Sequence, residues 1–562
     1  MKVTLPLVGG YNTRGVLDAD ISKDRRLSAC IVIPVLDNLQ NEITPYVQKR
    51  PGWTSYLTPG QRGKAILLSE KFNQLVFSTD DVAGAGTGST IWVGGTDVGT
   101  ADSAHIRELS EVELGNVQMI LMTDAQSTIG ATDGSGWYLP SDAYAVTAYT
   151  ADGNNSTTIT DIKIAGVNST AGLYSGQLLA AASNIVAGSR VVSVDSGAFT
   201  AVLDTATTGG AFNDLAITKT PIAKITNANF PSTIRGRFVE DNGYAYIMDA
   251  TNARIYNSAL NDITTWTASG YIPCNYDVDG GYGLAKYKKY IVGFGKKTIE
   301  FFQFAGNATG SPLSVVGNAT IKLGAQGSYN GATNIATAQD AIFFASGGYG
   351  TNNAIYMLDQ FQPVRISTPT IENILSENLI NQFDAFVGFG QTILNVGVAS
   401  GPRLFYSVET KQWTESGFSD DYRITGGYTV GVSASIGEIY GISMTTAGAG
   451  EVFRMRPTAP TFVDDGVAYT MTIQGANNNL GTGGWKQIQS FELIADTQAS
   501  GTTLLEITND DYATWQTIGT FDMTAQRKII ECGGGYYGEI AFRVTHSANT
   551  EWRGQGLIVE YF

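Results

Sequence analysis

The stretch Gly283–Phe304, GLAKYKKYIVGFGKKTIEFFQF, decides the fold class of this chain. It contains three short apolar runs that are separated by Lys-Lys and Gly-Lys-Lys turns. Short runs of β-branched and aromatic residues that are bounded by turn residues predict β-strands. The stretch therefore predicts three consecutive strands joined by tight turns.

Units of the same kind lie on both sides of this stretch. Arg237–Asp249 contains an Asp-Asn-Gly turn between alternating hydrophobic residues, which is a strong hairpin signal. Three further units have the same texture: Asp340–Leu358, Phe383–Trp413 and Tyr422–Arg454. Because such units recur roughly every 40–50 residues with three or four strands each, they predict the blades of a β-propeller. The spacing is irregular and carries no WD or kelch signature, so it leaves about five to seven blades open.

One segment departs from the strand pattern. Thr370–Gln382 begins with a capping threonine, and Ile371, Ile374, Leu375 and Leu379 fall on one helical face. We predict a short amphipathic helix here, within an otherwise all-β chain.

The composition supports the all-β prediction. The 562 residues include 66 glycines, and charged residues make up 15% of the chain, against about 25% in an average soluble protein. Aromatic residues make up 10%, which excludes a disordered chain, because disordered chains are poor in aromatic residues and densely charged. The absence of a Glu/Lys/Leu periodicity excludes a helix bundle.

Changes in sequence texture divide the chain into segments. Residues 151–222 are rich in Ser, Thr, Ala and Gly and interrupt the blade-like units, which predicts a small β module inserted in a propeller loop. Pro457 and Pro460 mark the change to a C-terminal segment whose strands predict an antiparallel sandwich. The predicted organisation is a platform from residues 1–57 and 458–562, a β-propeller from residues 58–150 and 223–457, and the inserted module at 151–222.

Charge and cysteine content restrict the classes of function. The formal net charge is −16, which argues against nucleic-acid recognition through a basic surface but not against DNA sliding past. No stretch reaches 18 consecutive apolar residues, so we expect no membrane anchor, and Met1–Gly10 is too short for a signal peptide. The three cysteines, Cys30, Cys274 and Cys532, are widely spaced and fit folding in a reducing cytoplasm.

The sequence predicts no catalytic residue, no cofactor-binding residue and no metal ligand. His105 and His546 are the only histidines, and neither lies near a nucleophile motif, so both are predicted to be surface residues. The paired acids are interpreted as turn residues rather than as catalytic or calcium-binding carboxylates: Asp80-Asp81, Asp420-Asp421, Asp464-Asp465 and Asp510-Asp511.

Three further motifs imitate functional sites. Asp277–Gly281 starts like a calcium loop but lacks the distal glutamate. Gly84, Gly86 and Gly88 imitate a phosphate loop without a following helix, so a hairpin loop is the better interpretation. Thr508–Trp515 resembles the Asp-box turn of sialidase-like propellers with Ala513 in place of the usual glycine, and that box is a structural turn even where it is intact.

Several segments, in order, resemble the packaged-DNA stabilisation proteins of short-tailed bacteriophages, which form the tail hub or nozzle. The most specific block is Gly283–Tyr329, with an IVGFG strand, a TIEFF strand and a GAQGSY end. The helix segment Ile366–Ser376 and the element Lys49–Thr54 (KRPGWT) are also similar to parts of this family. Residues 151–222 lie outside the resemblance and look like the Gly/Thr-rich modules that decorate phage virion proteins.

The resemblance implies a structural virion protein rather than an enzyme. It implies a homo-hexameric ring below the portal and its adaptor ring, assembled in the host cytoplasm as part of the virion tail, which contacts tail fibre or tailspike proteins. It also implies non-specific passage of viral double-stranded DNA through a central channel. Glycine-rich loops, either Gly84–Gly88 or Gly347–Gly350, are the candidate gates, because glycine adopts positive φ freely.

A second hypothesis belongs to a different class. Propellers also occur in glycan-binding proteins and glycoside hydrolases, so the chain could act on host polysaccharide. A monomer that binds or cleaves glycan would favour this alternative, whereas a ring associated with a portal and its adaptor would favour the nozzle.

Overall fold

A computed structural model describes most of the chain and confirms an all-β propeller protein with a sandwich-like platform and an inserted module. The described residues are 1–7, 26–33, 45–70, 72–80, 88–101, 106–124, 134–144, 148–181, 183–274, 276–277, 280–325, 333–346, 354–377, 380–398, 403–416, 424–430, 438–443, 451–456 and 459–562. The candidate gate loops fall outside these ranges, apart from Gly88, and so do His105, Asp81 and Asp420-Asp421.

The strands are numbered in chain order. The first platform segment and the first two blades contain β1 (Lys2–Pro6), β2 (Arg26–Ser28), β3 (Cys30–Ile33), β4 (Tyr46–Lys49), β5 (Trp53–Leu57), β6 (Gly63–Ser69), β7 (Gln74–Asp80), β8 (Ser89–Val93), β9 (Thr96–Ala101), β10 (Ile106–Leu114), β11 (Val117–Asp124) and β12 (Gly136–Pro140). The inserted module contains β13 (Ala148–Asn154), β14 (Thr158–Ile164), β15 (Val167–Asn168), β16 (Gln177–Ala181), β17 (Val191–Asp195), β18 (Thr200–Leu203) and most of β19 (Ala211–Lys224).

The chain then returns to the propeller and ends in the platform. The later blades contain β20 (Ile234–Asp241), β21 (Tyr244–Asp249), β22 (Arg254–Ala259), β23 (Asp262–Pro273), β24 (Gly281–Tyr287), β25 (Tyr290–Gly295), β26 (Ile299–Phe304), β27 (Leu313–Val315), β28 (Ile335–Ala338), β29 (Ala341–Ser346), β30 (Ala354–Asp359), β31 (Gln362–Arg365), α1 (Pro369–Glu377), β32 (Ile380–Gly388), β33 (Gln391–Val398), β34 (Leu404–Ser407), β35 (Gln412–Glu415), β36 (Ile424–Val430), β37 (Glu438–Ser443) and β38 (Val452–Met455). The last strands are β39 (Val463–Asp464), β40 (Val467–Ala468), β41 (Met471–Gln474), β42 (Trp485–Ala495), β43 (Thr502–Thr508), β44 (Gln516–Asp522), β45 (Lys528–Glu531), β46 (Gly535–Tyr537), β47 (Ala541–His546) and β48 (Arg553–Tyr561).

Four-stranded units form the blades of the propeller. Five of them are separate sheets: β6–β9, β20–β23, β24–β27, β28–β31 and β36–β38 with β5. Two more units, β10–β12 with β19 and β32–β35, are parts of larger sheets. The first strands of these units contact one another in a closed cycle, β6, β10, β20, β24, β28, β32, β36 and back to β6. Within the described residues the ring therefore has seven positions, which we call blades 1 to 7 in that order.

The propeller is held together by apolar clusters between neighbouring blades. Each of seven clusters draws its buried residues from two adjacent blades. Between blades 2 and 3, for example, Leu121 and Tyr138 pack with Ile247 and Trp266. A strand in the middle of a blade can bury both faces against the neighbouring blades, which explains why β33 (QTILNVGV) is buried along its whole length.

The Asp-Asn-Gly turn forms the predicted hairpin. Asn242 and Gly243 connect β20 to β21 with φ values of 52° and 79°. Positive φ at both central positions is what a two-residue hairpin turn of the favoured handedness requires. The three strands predicted within Gly283–Phe304 are likewise confirmed as β24, β25 and β26.

The boundary between the N-terminal platform segment and the propeller differs from the predicted one. Residues 53–57 are not part of the platform, because β5 pairs with β38 as the outer strand of blade 7, with Trp53 opposite Met455. The chain therefore enters the propeller at Trp53. β5 is the first blade strand in the chain, and it completes blade 7, whose other strands come last in the propeller. This pairing closes the ring.

The helix is shorter than the sequence predicts. It spans Pro369–Glu377, and Ile380–Gly388 is already the inner strand of blade 6. The N-cap is Thr368 rather than the predicted Thr370, which lies inside the helix: the Ile371 N–H donates to Thr368 Oγ1 over 3.5 Å, and the Glu372 N–H donates to the Thr368 carbonyl over 2.9 Å. Ile371 and Leu375 are buried between blades 5 and 6, whereas the predicted fourth face residue, Leu379, lies outside the described residues. The described residues contain no helix of the length and apolarity that a membrane span requires.

The inserted module interrupts blade 2 between its third and fourth strands. β12 precedes the module, and Ala223 and Lys224 at the end of β19 return to pair with Tyr138 and Trp137. The module begins at Ala148 rather than at 151, because β13 pairs with β19 from there. It has its own core, which includes Tyr149, Ile159, Leu179, Leu203 and Ile217.

Removing the module should leave the propeller folded. Tyr138 lies opposite Ala223 in an antiparallel pair, so the strand ends on either side of the module are adjacent and a short turn can join them. Ala148 likewise lies opposite Thr218 at the base of the module. We expect deletion of residues 148–218, with a Gly-Ser bridge, to retain the β-sheet circular dichroism signal and a cooperative thermal transition. A chain that loses both would show that the module is needed for blade 2 to form.

The two ends of the chain share a platform of two sheets. In one sheet, β48 lies between β42 and the N-terminal strands β1 and β4. The other continues from β2 through β41, β47 and β43 to β44. Their facing sides enclose one apolar core with residues from both chain ends, among them Leu5, Val47, Phe491, Val544 and Trp552.

Candidate functional site: the junction of platform and propeller

The platform is hydrogen-bonded to the propeller through a continuous sheet. β2 pairs in parallel with β35, the outer strand of blade 6, and antiparallel with the platform strand β41. The Ala29 N–H also donates to the Glu415 carbonyl over 2.9 Å. Blade 6 and one platform sheet thus form a single nine-stranded sheet.

A buried ion pair fixes the chain where it leaves the platform. The Arg50 guanidinium makes a two-point contact with the Asp464 carboxylate, in which Nη1 lies 2.8 Å from Oδ1 and Nη2 contacts Oδ2. The Arg50 side chain is 0% exposed and that of Asp464 is 7% exposed, so both charges have lost their hydration. Arg50 Nε also donates to the Ser416 carbonyl at the end of blade 6. One side chain therefore joins the N-terminal segment, the C-terminal segment and the propeller.

Lys49 and Tyr469 extend this contact into the platform. Lys49 Nζ donates to the carbonyls of Tyr469 and Ala548, over 3.1 and 2.8 Å. The Tyr469 ring contacts both cations, with its centroid 4.4 Å from Lys49 Nζ and 4.1 Å from Arg50 Cζ, and its hydroxyl donates to the Arg50 carbonyl. Burial, together with the nearby positive charge of Arg50, lowers the pKa of Lys49 to about 8. Burial raises the pKa of the Cys30 thiol, which keeps it protonated and unreactive.

The contacts of Gly52 and Trp53 explain why the element Lys49–Thr54 contains a glycine at position 52. A Cβ on Gly52 would lie 1.9 Å from the Val463 carbonyl oxygen, so only glycine fits. The Gly52 N–H donates to the Thr461 carbonyl over 2.6 Å, and the Trp53 N–H donates to Asp464 Oδ1 over 3.0 Å. The element is thus a close contact between the two chain ends. Arg50 is paired with Asp464 and the Lys49 ammonium donates to two carbonyls, so these side chains hold the two chain ends together.

A second group of charges lies where the inner strands meet. Arg237 on β20 lies 3.5 Å from the Glu108 carboxylate on β10, and Thr333 donates to Glu108 through its N–H and its hydroxyl. Burial raises the pKa values of Glu108 and Asp384, although Arg237 opposes both shifts. Burial likewise lowers the pKa of Arg403 to about 10. These groups tie blades 2, 3, 5 and 6 together around the propeller axis.

Two of the paired acids are not turn residues, contrary to the sequence interpretation. Asp464 is the buried partner of Arg50, and Asp80 lies 3.1 Å from the Nζ of buried Lys64. Asp510 does act as a turn residue, since Thr508 and Thr514 donate to it and hold its pKa at about 2. Two adjacent acids in a sequence do not show whether they lie in a turn or in a buried ion pair, because distant strands determine their burial.

The other motifs behave as structural elements or lie partly outside the described residues. The Asp-box segment Thr508–Trp515 is the turn between β43 and β44, in the platform rather than in a blade. Of the calcium-like motif, Val278 and Asp279 are not described.

Sequence reasoning did not single out Asp152, Asp161 and Asp214, whose carboxylates cluster in the inserted module. Lys163 forms ion pairs with two of the three carboxylates, at 2.6 Å from Asp161 and 3.1 Å from Asp214.

His546 is buried, so the prediction of a surface residue was wrong. It ends β47 with no exposed area, and its two ring nitrogens lie 3.1 Å from the hydroxyls of Thr503 and Thr550. Burial and the positive charge of Lys49 lower the pKa of His546 to about 4. The ring is therefore neutral near pH 7 and fills the platform core beside Trp552.

The fold and the site define the class: a propeller protein whose two chain ends are locked into one platform. Comparison with known families gives a more particular finding. Residues 177–385 match the family described as bacteriophage P22 Gp10, beta-propeller. The match covers the end of the inserted module and blades 3 to 5 and reaches into blade 6, and it supports a structural protein of a bacteriophage. No curated protein sequence matches this chain.

Solved structures with similar strand arrangements are distant. The BBS1N domain in complex with ARL6DN has a TM-score of 0.34 at 10% identity, covering 73% of this chain and 99% of that one. The N-terminal domain of Nup159 reaches 0.36 at 7% identity, with 76% and 99% covered. The exo-β-1,3-galactanase of Phanerochaete chrysosporium with galactose reaches 0.22 at 10% identity, with 59% and 97% covered. At these TM-scores none of them supports a functional argument.

Proposed function

We propose that this protein is the tail nozzle of a short-tailed phage, a non-enzymatic ring of six copies that closes the portal channel after packaging. In this role it retains the packaged genome and conducts it during ejection. The observation that carries the proposal is the family match over residues 177–385, together with the resemblance of Gly283–Tyr329 to packaged-DNA stabilisation proteins.

The junction supports a mechanical role. A ring that holds a pressurised genome must pass force between the part that docks on the particle and the part that hangs below it. The continuous nine-stranded sheet and the buried Arg50–Asp464 pair join platform and propeller without a flexible linker at that point. A rigid joint of this kind suits a load-bearing subunit better than it suits a substrate lid.

An exposed aromatic surface on the platform supports assembly with other chains. Trp485 is 73% exposed, and its ring centroid lies 5.7 Å from that of Tyr537 on the neighbouring strand. Phe562 is 74% exposed, and its backbone pairs with that of Gln487, which lies two residues after Trp485 on β42. Adjacent exposed aromatic side chains of this size commonly mark protein interfaces. In the proposed assembly this end of the platform meets a neighbouring copy or the portal adaptor ring.

Phage particles that lack the protein should package DNA and then lose it. The measurement is the nuclease-protected genome per particle, compared between knockout particles, particles complemented with the intact chain and particles complemented with an Asp510→Ala variant. Because Asp510 lies in an exposed turn of the platform, we expect that variant to retain DNA like the intact chain.

The same experiment separates the nozzle from the enzyme hypothesis. Knockout particles that keep their genome but fail to degrade host glycan would reject the nozzle and favour a glycoside hydrolase. Particles that leak DNA yet are rescued by a chain that stays monomeric would reject the ring.

A further inference from the structure

Blade 4 differs in charge from the rest of the protein. Residues 281–325 contain six lysines and a single acid, Glu300, which leaves 29 basic and 50 acidic residues in the remainder of the chain. Glu300 is buried and accepts a hydrogen bond from the Tyr276 N–H, so it does not face solvent. A chain with a formal charge of −16 thus carries one strongly positive element.

Four of these lysines form what we call the lysine surface: Lys288, Lys289, Lys296 and Lys322. All four are exposed, and none has an ion pair with an acid among the described residues. Lys286, by contrast, is held by Asp241 of blade 3 at 3.1 Å. The lysine surface therefore presents charge that the fold leaves uncompensated.

The fold places this charge at both ends of one strand. Lys288 and Lys289 form the turn before β25, and Lys296 forms the turn after it. At about 3.3 Å per residue the two turns stand roughly 20 Å apart. Tyrosines underlie several of the ammonium groups, with Lys289 5.4 Å from the Tyr290 ring and Lys322 5.6 Å from the Tyr276 ring. Such ring contacts orient a cation without neutralising it.

The choice of residue indicates the kind of partner. All four cations are lysines, and lysine is depleted in protein–protein interfaces, where arginine is enriched. Lysine binds phosphate as a compact point charge without the fixed two-point geometry of arginine. A lysine-only surface therefore suits a repeating polyanion better than a folded protein partner.

The acidity of the remaining chain does not prevent such a contact. At physiological ionic strength the Debye length is about 8 Å, so acids several residues away are largely screened. The net negative charge instead keeps the contact weak, because the rest of the molecule repels the same polyanion at low salt. A weak, sequence-independent contact suits DNA that must be retained and later slide.

We propose that the lysine surface of blade 4 contacts the phosphate backbone of duplex DNA. This inference rests on the proposed function, which brings viral DNA to the protein. It goes beyond that function by assigning the contact to one blade, and it departs from the expectation, drawn from the net charge, that DNA is not recognised through a basic surface.

The test is the salt dependence of binding between the purified full-length chain and a fluorescent 30-base-pair duplex. If all four lysines contact phosphates, the plot of log K against log salt concentration has a slope of about −3.6, and affinity falls roughly 150-fold between 50 and 200 mM salt. The variant Lys288→Gln/Lys289→Gln/Lys296→Gln/Lys322→Gln should bind more weakly and reduce the slope by about one for each lysine that contacts a phosphate.

A matched control removes four positive charges elsewhere. Lys2, Lys163, Arg456 and Arg527 are each held in an ion pair, and their replacement by glutamine gives the same net charge as the lysine-surface variant. We expect the control to keep the slope of the intact chain. The circular dichroism spectra and the elution volumes of the two variants are compared first, so that misfolding is recognised.

Three outcomes would overturn the proposal. The intact chain could fail to bind duplex DNA at 50 mM salt, or both variants could lose affinity equally, which would make net charge the cause. The lysine-surface variant could also bind DNA normally but change its oligomeric state, which would make blade 4 a contact between copies. None of these outcomes decides the nozzle proposal, because genome retention is measured separately in particles.

Discussion

Replacing Arg50 by methionine should lower the free energy of unfolding by about 3–5 kcal/mol, the usual cost of removing one partner of a buried ion pair. The Asp464 carboxylate, which is 7% exposed, would be left without its cation in a site from which water is excluded. The change also removes the hydrogen bond to the Ser416 carbonyl. Urea unfolding followed by tryptophan fluorescence measures the loss, and Trp53 lies next to the affected pair.

Two further variants make this prediction specific. Arg527→Met removes an exposed arginine whose partner is Glu492, and it should leave the urea midpoint nearly unchanged, because exposed pairs contribute little. Arg50→Met/Asp464→Leu should recover part of the lost stability, since an uncompensated buried charge costs more than a missing pair. Recovery would be incomplete, because the Trp53 N–H would lose its acceptor. A single Arg50→Met variant as stable as the original would show that the junction does not depend on this pair.

The platform should lose about 2–3 kcal/mol of stability between pH 6.5 and pH 4 because of His546. The folded pKa of this residue is about 4, below the 6.5 of an unfolded chain. Over this range the unfolded state binds a proton that the folded state does not bind, so stability falls as the pH falls. The physical cause is that a charged imidazole would lie in the core between Thr503 and Trp552, near the Lys49 ammonium.

The variant His546→Gln isolates this contribution. Glutamine does not titrate, so the variant should show a flatter dependence of unfolding free energy on pH between 4 and 6.5, even if it is less stable at pH 7. The raised pKa values of Glu108 and Asp384 act in the opposite direction and remain in both proteins, so the difference between the two curves reports His546 alone. Parallel curves, or a titration of His546 near pH 6.5 by NMR, would contradict the buried neutral ring.

Local sequence patterns predicted the blade units well. The turns that carry Lys288-Lys289 and Asn242-Gly243, and the apolar runs beside them, define strands through short-range rules that hold in any all-β fold. The same rules missed the start of the propeller at Trp53. That residue follows a Pro-Gly turn, and its partner strand begins about 400 residues later, at Val452.

The candidate site likewise combines residues that the local sequence singled out with contacts that only the tertiary structure decided. The element Lys49–Thr54 was noticed for its resemblance to a family, but nothing in its spacing indicated that Arg50 is buried against Asp464. His546 was misplaced for the same reason, because its burial depends on the sheet formed by β41, β43 and β47. The positive charge of blade 4 is visible in the sequence, yet a whole-chain charge of −16 conceals it.

The sequence by itself determined the all-β class, the repeating blade units, the presence of an inserted module and the scarcity of catalytic side chains. These features depend on composition and on neighbours within a few residues. Tertiary structure alone decided the seven positions of the ring, the closing strand Trp53–Leu57 and the pairing of Arg50 with Asp464. The physical reason is that a β-strand gains its hydrogen bonds from another strand, and neither the identity of that partner nor the burial that follows is encoded in local sequence.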